Sequence, residues 1–202
     1  MIRLVFFIFL PLILFLTLFR LVSFAFNSSY ALFSETYDYN ENSLKEIDFN
    51  VLSRKTQKYT SQGYGKTSFA SVNTNILNHW HNGIDIAAVL NAPIHSVSDG
   101  KVVYVGNQDT YCFGRGYGKF LSVGNSKDGY TLLYAHLNRA NVKTGDEVHK
   151  GDILGFVGET GYATGPHLHF TVFKSASFKI VNRKDCGSTP SGADINPFGY
   201  LK

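Results

Sequence analysis

Five side chains that could bind a metal ion or move a proton occur in three short motifs. The stretch HLHF places His167 and His169 two residues apart within an apolar run, and HNGID places His81 and Asp85 four residues apart. Alternate residues of a strand share a face, so the two imidazoles of HLHF should point one way and their apolar neighbours should face the core. Such a pair can hold a metal and a reacting group together, although the short pattern also fits two solvated histidines.

The motif around Asp85 favours the metal interpretation. Asp85 precedes Ile86 and two alanines, an apolar stretch where a carboxylate is costly unless it is paired or metal-bound. Gly83 should permit a bend, so that His81 and Asp85 converge from a strand end or loop. With a histidine of HLHF they could form a His, Asp, His set, which leaves the fourth position of a zinc ion open, as in catalytic sites. His136, at the end of the alternating stretch TLLYAHL, adds a group suited to proton transfer or oxyanion stabilisation.

Three other histidines fit this chemistry less well. His79 lies two residues before His81 and is a rival ligand, but only His81 has the four-residue spacing to Asp85. His95 is one polar position of an alternating segment and is expected to be structural. His149 lies in the charged turn DEVHKGD and is expected to be solvated.

The elements that must position these residues read as short strands. Apolar and polar residues alternate in short runs that break at Gly, Asn or Asp. No long helical pattern recurs between the runs, which argues against parallel βαβ units. We therefore predict a mainly β fold, a small antiparallel β-sandwich or partly open barrel with a groove, with GNSKDG as a hairpin turn. The predicted strands are 58–65, 93–100, 101–106, 119–124, 130–137, 152–158 and 167–173.

The N-terminus predicts export. Residues 4–19 carry no charge, Arg3 precedes them, and SFA at 23–25 resembles a signal-peptidase site. We expect a hydrophobic helix over 1–26 that is a signal peptide or a membrane anchor, a spacer over 27–57, and a catalytic domain over 58–202. The domain would then lie on the outer face of the cytoplasmic membrane, in the periplasm or outside the cell.

The charge of the chain limits the binding partners that we expect, and its cysteine content indicates a possible disulfide. Lys and Arg number 19 against 15 Asp and Glu, without a dense basic block, so no nucleic-acid partner is expected. We expect a monomer. The two cysteines, Cys112 in the insert NQDTYCFGRGYG and Cys186 near the C-terminus, could pair as a disulfide in an oxidising compartment. Two unrelated buried thiols are the alternative.

The motifs HNGIDIAA, YAHL and TGYATGPHLHFTV, in that order, resemble the lysostaphin/LytM-type zinc metallopeptidases that cut peptidoglycan peptides. The resemblance implies one Zn²⁺ ion bound by His81, Asp85 and His169, with His136 and His167 as the two further active-site histidines. It implies a small antiparallel β fold with a groove, and cleavage of peptide cross-links by a metal-bound water. Glycine bridges and D-amino-acid cross-links are both substrates within this family.

Three questions stay open at this point. Tyr162 and Thr164 of the loop GETGYATGP are candidate substrate contacts, although this segment could be a glycine turn that only feeds the strand. The chain could also be a catalytically silent wall-binding or regulatory protein on the same fold. The stretch VKTGDEVHKGDILG resembles the hairpin arms of biotinyl and lipoyl carrier domains, but the lysine that such a domain presents is missing.

Overall fold

The computed structural model describes residue 52 and residues 57–72, 79–125 and 127–199. The expected N-terminal helix over 1–26 and nearly all of the spacer over 27–57 lie outside these residues, so the proposed domain boundaries stay predictions. Within the described ranges, no helix has both the length and the apolar character needed to cross a membrane.

Strands dominate the described residues, with two short helices and two 3₁₀ turns among them. The strands are β1 (Gln57–Gln62), β2 (Ile84–Ala88), β3 (Pro93–His95), β4 (Gly100–Asn107), β5 (Lys119–Asn125), β6 (Tyr130–Ala135), β7 (Leu137–Ala140), β8 (Glu147–Val148), β9 (Ile153–Val157), β10 (His167–Lys174), β11 (Lys179–Arg183), β12 (Gly187–Ser191) and β13 (Asp194–Ile195). The helices are α1 (Ser68–Val72) and α2 (Asp109–Cys112), and the 3₁₀ turns are Ser175–Ser177 and Pro197–Gly199.

The strands form three open antiparallel sheets. The main sheet has the order β1-β2-β10-β6-β5-β4-β8, with β13 paired to β10, while β3-β9-β7 and β11-β12 form two smaller sheets. Strands β5 and β6 pair as the hairpin predicted around GNSKDG. The predicted mainly β, antiparallel fold is confirmed.

Alternation along β10 produces the core on one face and the site on the other. Leu168, Phe170 and Val172 are fully buried, as their apolar character predicts. Each such side chain contributes about 2 kcal/mol of hydrophobic stabilisation. Because β10 lies between β2 and β6, the strand that carries His167 and His169 is paired along both edges.

One local expectation was wrong and another was confirmed. The predicted strand 130–137 is broken at His136, whose φ of 60° interrupts the ladder between β6 and β7. Gly83 forms the expected bend, and His81 and Asp85 converge there: Asp85 is the second residue of β2, and its Oδ1 lies 3.2 Å from Nε2 of His81. Gly83 is required for close approach, because a Cβ there would lie 2.5 Å from the carbonyl oxygen of Phe170 and 2.7 Å from Oγ1 of Thr171.

Candidate metal centre and groove

The pairing of β2, β10 and β6 sets the positions of four of the five candidate residues. His169 lies directly opposite Asp85 on β2 and opposite Ala135 on β6, so the next residue along, His136, emerges beside it. Directly opposite residues of antiparallel strands have Cβ atoms about 5 Å apart. His81 precedes β2 and is held by two backbone hydrogen bonds with Gly65.

Three possible ligand atoms form a small triangle. Nε2 of His81 lies 3.0 Å from Nδ1 of His169 and 3.2 Å from Oδ1 of Asp85. Nδ1 of His169 and Oδ1 of Asp85 are 2.9 Å apart. A tetrahedral zinc ion separates its ligand atoms by roughly 3.3 Å. The triangle therefore fits one small metal ion, and all three side chains are buried.

The hydrogen bonds of His81 and His169 favour tautomers that can bind a cation. The Nδ1–H of His81 donates to the carbonyl oxygen of Gly63 at 2.6 Å, which leaves a lone pair on Nε2 of the neutral ring. Nε2 of His169 lies 2.9 Å from Oγ1 of Thr171, so an N–H donated to that hydroxyl leaves a lone pair on Nδ1. Both lone pairs then face the carboxylate of Asp85 in a buried space, an arrangement that is unfavourable without a cation between them.

Without a metal ion, protonated ring nitrogens can instead donate hydrogen bonds to Asp85, and the pKa shifts of the triad describe this alternative. Burial favours a neutral Asp85, but hydrogen bonds from His169 and His81 outweigh it and lower the pKa of the carboxyl well below its usual range. Burial also lowers the pKa of His169. Burial acts on His81 in the same direction, yet its bonds to Asp85 and Gly63 outweigh it and raise the pKa. A proton that enters the triad is therefore held by His81, beside a carboxylate that stays ionised.

His136 and His167 supply two further imidazoles beside the triad. The Nδ1–H of His136 donates to the carbonyl oxygen of Thr160 at 2.7 Å, and that of His167 donates to Gly165 at 2.8 Å. In the neutral rings both Nε2 atoms therefore keep a lone pair. The ring centroids are 4.7 Å apart, and Nε2 of His167 lies 3.7 Å from Oδ1 of Asp85.

The backbone of His136 is as constrained as its ring. Its φ of 60° is unusual for a residue other than glycine, and its N–H donates to the carbonyl oxygen of Tyr117 at 3.0 Å. Burial, together with nearby positive charge on His167 and His169, lowers the pKa of His136 to about 3. Backbone strain of this kind persists where the surrounding structure enforces it, which is common at functional sites.

A groove with a volume of about 400 Å³ is lined by all five of these side chains. Tyr162 and Thr164, the candidate substrate contacts, also line it. The ring of Tyr162 stacks on Phe69 of α1 at a centroid distance of 6.5 Å. The volume lies within the range of small-ligand sites and suits a short stretch of peptide.

Two segments far apart in sequence complete the groove, and we call them the groove wall: the insert, residues 107–118, and the β11–β12 hairpin, residues 179–191. Cys112 of the insert and Cys186 of the hairpin form the expected disulfide. The buried Gln108 adds a second link, because its Nε2 donates to Oγ1 of Thr189 at 2.9 Å. Its Oε1 accepts the backbone N–H of Tyr117 at 2.6 Å.

The insert also packs against the loop that carries Tyr162. Gly118 and Gly161 approach so closely that a Cβ on either would lie 2.3 Å from the backbone nitrogen of the other. The backbone N–H of Gly161 donates to the Asp109 carboxylate at 3.1 Å, and that of Tyr162 donates to the carbonyl oxygen of Gly116 at 2.9 Å. The insert therefore fixes both the hairpin and the loop beside the groove.

Tyr117 is a groove residue that the sequence did not single out. Its hydroxyl accepts a hydrogen bond from Nδ2 of Asn82 at 2.6 Å, and its ring centroid lies 5.6 Å from that of His169. Burial raises the pKa of Tyr117 to about 12. The glycines around it in GRGYG were a usable signal, since glycine-rich loops approach ligands closely.

The remaining histidines lie outside the triad. The ring of His79 contacts the carbonyl oxygen of Ala70 at 3.2 Å, and that of His95 contacts the carbonyl oxygen of Gly151 at 2.9 Å. The side chain of His149 is 81 % exposed. The structure thus brings together His81, Asp85 and His169 and leaves the rival ligand His79 apart from them.

The sequence is similar to those of known peptidases. A family profile described as Peptidase family M23 matches residues 79–182. The glycyl-glycine endopeptidase ALE-1 of Staphylococcus capitis is 38 % identical over 90 residues, which cover 45 % of this chain and 24 % of that protein. The DD-carboxypeptidase/endopeptidase Mpg of Neisseria meningitidis serogroup B is 38 % identical over 97 residues, covering 47 % and 21 %.

A solved structure agrees with these relatives. The catalytic domain of the prophage-encoded M23 protein EnpA from Enterococcus faecalis, determined as a mutant, superposes with a TM-score of 0.51 and 28 % identity, covering 69 % of this chain and 88 % of that one. This chain spans no more than about a quarter of the two curated relatives. The family match includes all five clustered residues but ends inside β11, so β12 and Cys186 lie beyond it.

Proposed function

The chain belongs to peptidase family M23, and on that premise we propose that it is a zinc-dependent endopeptidase that cleaves the peptide cross-links of bacterial peptidoglycan. The observation that carries the proposal is the buried triangle of His81, Asp85 and His169, with ligand atoms 2.9 to 3.2 Å apart. These three residues would bind one Zn²⁺ ion. When bound, zinc supplies Lewis acidity to a carbonyl oxygen and lowers the pKa of water to about 7.

His167 is the better candidate for the general base. Its Nε2 keeps a lone pair and lies 3.7 Å from the Asp85 oxygen that belongs to the triangle. It would take a proton from the attacking water and pass it to the nitrogen of the leaving amine as the C–N bond breaks. Neutral His136 would accept a hydrogen bond through its own Nε2, since burial lowers its pKa to about 3.

Substrate binding would use the groove beside the triad. Tyr162 and Thr164 line it and are proposed to contact the peptide on either side of the scissile bond. The two curated relatives carry different activities in their names, a glycyl-glycine endopeptidase and a DD-carboxypeptidase/endopeptidase. The proposal therefore names the substrate class, a cross-linked stem peptide, and leaves the scissile bond to experiment.

Location follows from the same proposal. A substrate that lies outside the cytoplasmic membrane requires export, which agrees with the apolar, uncharged residues 4–19. We propose that the domain acts as a monomer, either released from the membrane or attached to its outer face by the N-terminal segment.

The decisive experiment uses the full 202-residue protein and purified peptidoglycan sacculi. Release of new amino groups is followed with and without a chelator, and mass spectrometry identifies the peptides released. We expect release that stops with the chelator and returns with added zinc. Asp85→Asn keeps the side-chain size but removes a charged ligand, so it should lower zinc content and decrease release by at least about 10³-fold.

The matched control is His149→Ala, which removes an exposed imidazole outside the groove. It should leave zinc content and release unchanged. A protein that binds sacculi but releases no amines would instead be a silent wall-binding protein. Release that continues undiminished without metal would reject the zinc proposal.

A further inference from the structure

Tyr117 lies where the insert meets the candidate active site. Its backbone N–H donates to Oε1 of Gln108 at 2.6 Å, and its carbonyl oxygen accepts the backbone N–H of His136 at 3.0 Å. Its ring centroid is 5.6 Å from that of His169, and the residue lines the groove. The position of this side chain is therefore fixed both from the insert and from the main sheet.

The hydroxyl of Tyr117 is oriented by Asn82. Nδ2 of Asn82 donates to the phenolic oxygen at 2.6 Å, and Asn82 directly follows the triad residue His81. A tyrosine hydroxyl has one proton to donate and also accepts through its oxygen. The bond from Asn82 uses the acceptor side. Within residues 57–72, 79–125 and 127–199, the structure gives the hydroxyl proton no protein acceptor.

The ionisable side chains closest to the triad offer the groove acceptors rather than donors when the imidazoles are neutral. His136 and His167 each commit their Nδ1–H to a backbone carbonyl, so their neutral rings face the groove as acceptors. The Asp85 carboxylate can only accept. Amide hydrolysis develops negative charge on the carbonyl oxygen, and preorganised donors that face this oxygen lower the barrier. The Tyr117 hydroxyl can supply such a donor.

We propose that Tyr117 is a catalytic residue whose hydroxyl donates a hydrogen bond to the scissile carbonyl oxygen as negative charge develops there. Asn82 is then a positioning residue that orients the phenol. This inference rests on the proposed peptidase function, and it makes the insert part of the catalytic machinery as well as part of the groove wall.

Tyr117→Phe tests the proposal, because it keeps the ring against His169 and removes only the hydroxyl. With soluble cross-linked muropeptides as substrate, we expect kcat to fall by about 10²-fold, as for the loss of one oxyanion donor. KM should change less than about threefold, since the bond forms mainly in the transition state. Zinc content and the shape of the pH profile should not change, because the hydroxyl does not titrate in the working range.

The control variant is Tyr104→Phe. Tyr104 stacks on Phe120 at 5.9 Å, while Tyr117 packs on that same ring at 6.2 Å. Tyr104 is not among the residues that line the groove. Loss of its hydroxyl should leave kcat within about twofold of the parent value, within the scatter expected for a neutral surface change.

A second variant separates orientation from direct contact. Asn82→Ala should lower kcat by about tenfold, and the Asn82→Ala, Tyr117→Phe double variant should be no slower than Tyr117→Phe alone, because both act through one hydroxyl.

Tyr117→Phe with parental kcat would reject the proposal, as would a higher KM at unchanged kcat or a loss of zinc. If the parent protein releases no amines, the peptidase proposal fails and this inference fails with it. An active parent with an equally active Tyr117→Phe variant rejects the role of Tyr117 alone.

Discussion

The ligand triad and the groove wall are built in different ways. Pairing of β2 with β10 in the main sheet positions Asp85 and His169, and an isolated backbone bridge to Gly65 positions His81. The β11–β12 hairpin forms a separate two-stranded sheet, and the disulfide and Gln108 link it to the insert. The family match contains the whole triad but stops within β11. The insert, residues 107–118, lies within the match, so of the groove wall only the hairpin from residue 183 onward lies beyond it.

This contrast has a measurable consequence. If the triad depends on strand pairing and the groove wall depends on cross-links, damage to one region should leave the other intact. Under the proposed function, zinc content would report on the triad, and turnover of cross-linked peptides would report on both regions. Two variants can damage the regions separately, and a third variant tests the residue that touches both.

The largest effect on stability should come from removal of the disulfide. Changing Cys112 and Cys186 together to Ser opens a loop with a sequence separation of 74. In the chain-entropy account this lowers the free energy of unfolding by about 4 kcal/mol. The hairpin should loosen, and kcat/KM for soluble cross-linked muropeptides should fall. Zinc content should stay at one ion per chain, because no triad residue lies on the groove wall.

Denaturant unfolding and metal analysis of the double serine variant check this prediction. Treatment of the parent protein with a reductant should reproduce the behaviour of the variant. Loss of zinc together with the disulfide would contradict the separation of the two regions, since it would make the triad dependent on the groove wall.

Gly83→Ala should produce the opposite pattern. A Cβ at this position would lie 2.5 Å from the backbone oxygen of Phe170 and 2.7 Å from Oγ1 of Thr171, the hydroxyl that contacts His169. Neither strand can give way without disturbing the pairing of β2 with β10. We expect the free energy of unfolding to fall by about 3 kcal/mol and zinc affinity to weaken, while the disulfide still forms.

Gly165→Ala is the control for this substitution. The Cβ of that variant would meet only Oε1 of Glu159, at 3.9 Å, which is ordinary contact. Its free energy of unfolding should stay within about 0.5 kcal/mol of the parent value. Equal destabilisation of both variants would show that tight packing beside His169 is not what makes glycine necessary at position 83.

The triad could be predicted from the sequence because the patterns that indicate it are short and local. A two-residue repeat puts His167 and His169 on one strand face, and a carboxylate in an apolar stretch needs a partner. The resemblance of the motifs then supplied the ligand set and the roles of the histidines. The sequence was incomplete where a residue serves a distant contact: Gly83 forms the expected bend, but nothing local indicates that it also makes room for Phe170 on another strand.

The groove wall could be predicted only in part, for a related reason. Two cysteines in an exported chain indicated the disulfide, but nothing local indicated that β11 and β12 would form a hairpin beside the groove. The roles of Gln108 and Tyr117 depend on residues that are distant in sequence, such as Thr189 and Asn82. The positive φ of His136 is another case, since its alternating neighbours predict an unbroken strand.

His136 touches both regions and gives the smallest predicted effect. Its backbone donates to Tyr117 of the groove wall, and its ring donates to Thr160 beside the triad. Burial lowers its pKa from an ordinary 6.5 to about 3. In the unfolded chain the ring takes up a proton near pH 6.5, whereas the folded protein resists protonation down to about pH 3. Its contribution to stability is therefore complete above the unfolded pKa and is lost as the pH falls, by about 1.4 kcal/mol for each unit between the two values.

His136→Asn removes this titration and keeps the local geometry. Asparagine tolerates a positive φ, and its side-chain N–H can donate to Thr160 in place of the ring. Between pH 6 and pH 4 the metal-free variant should lose about 2 kcal/mol less stability than the metal-free parent, measured by urea unfolding at each pH. His149→Asn, at an exposed site, should follow the parent. If His136→Asn follows the parent as well, the ring of His136 is open to water in the folded protein, and neither the main sheet nor the groove wall shields it.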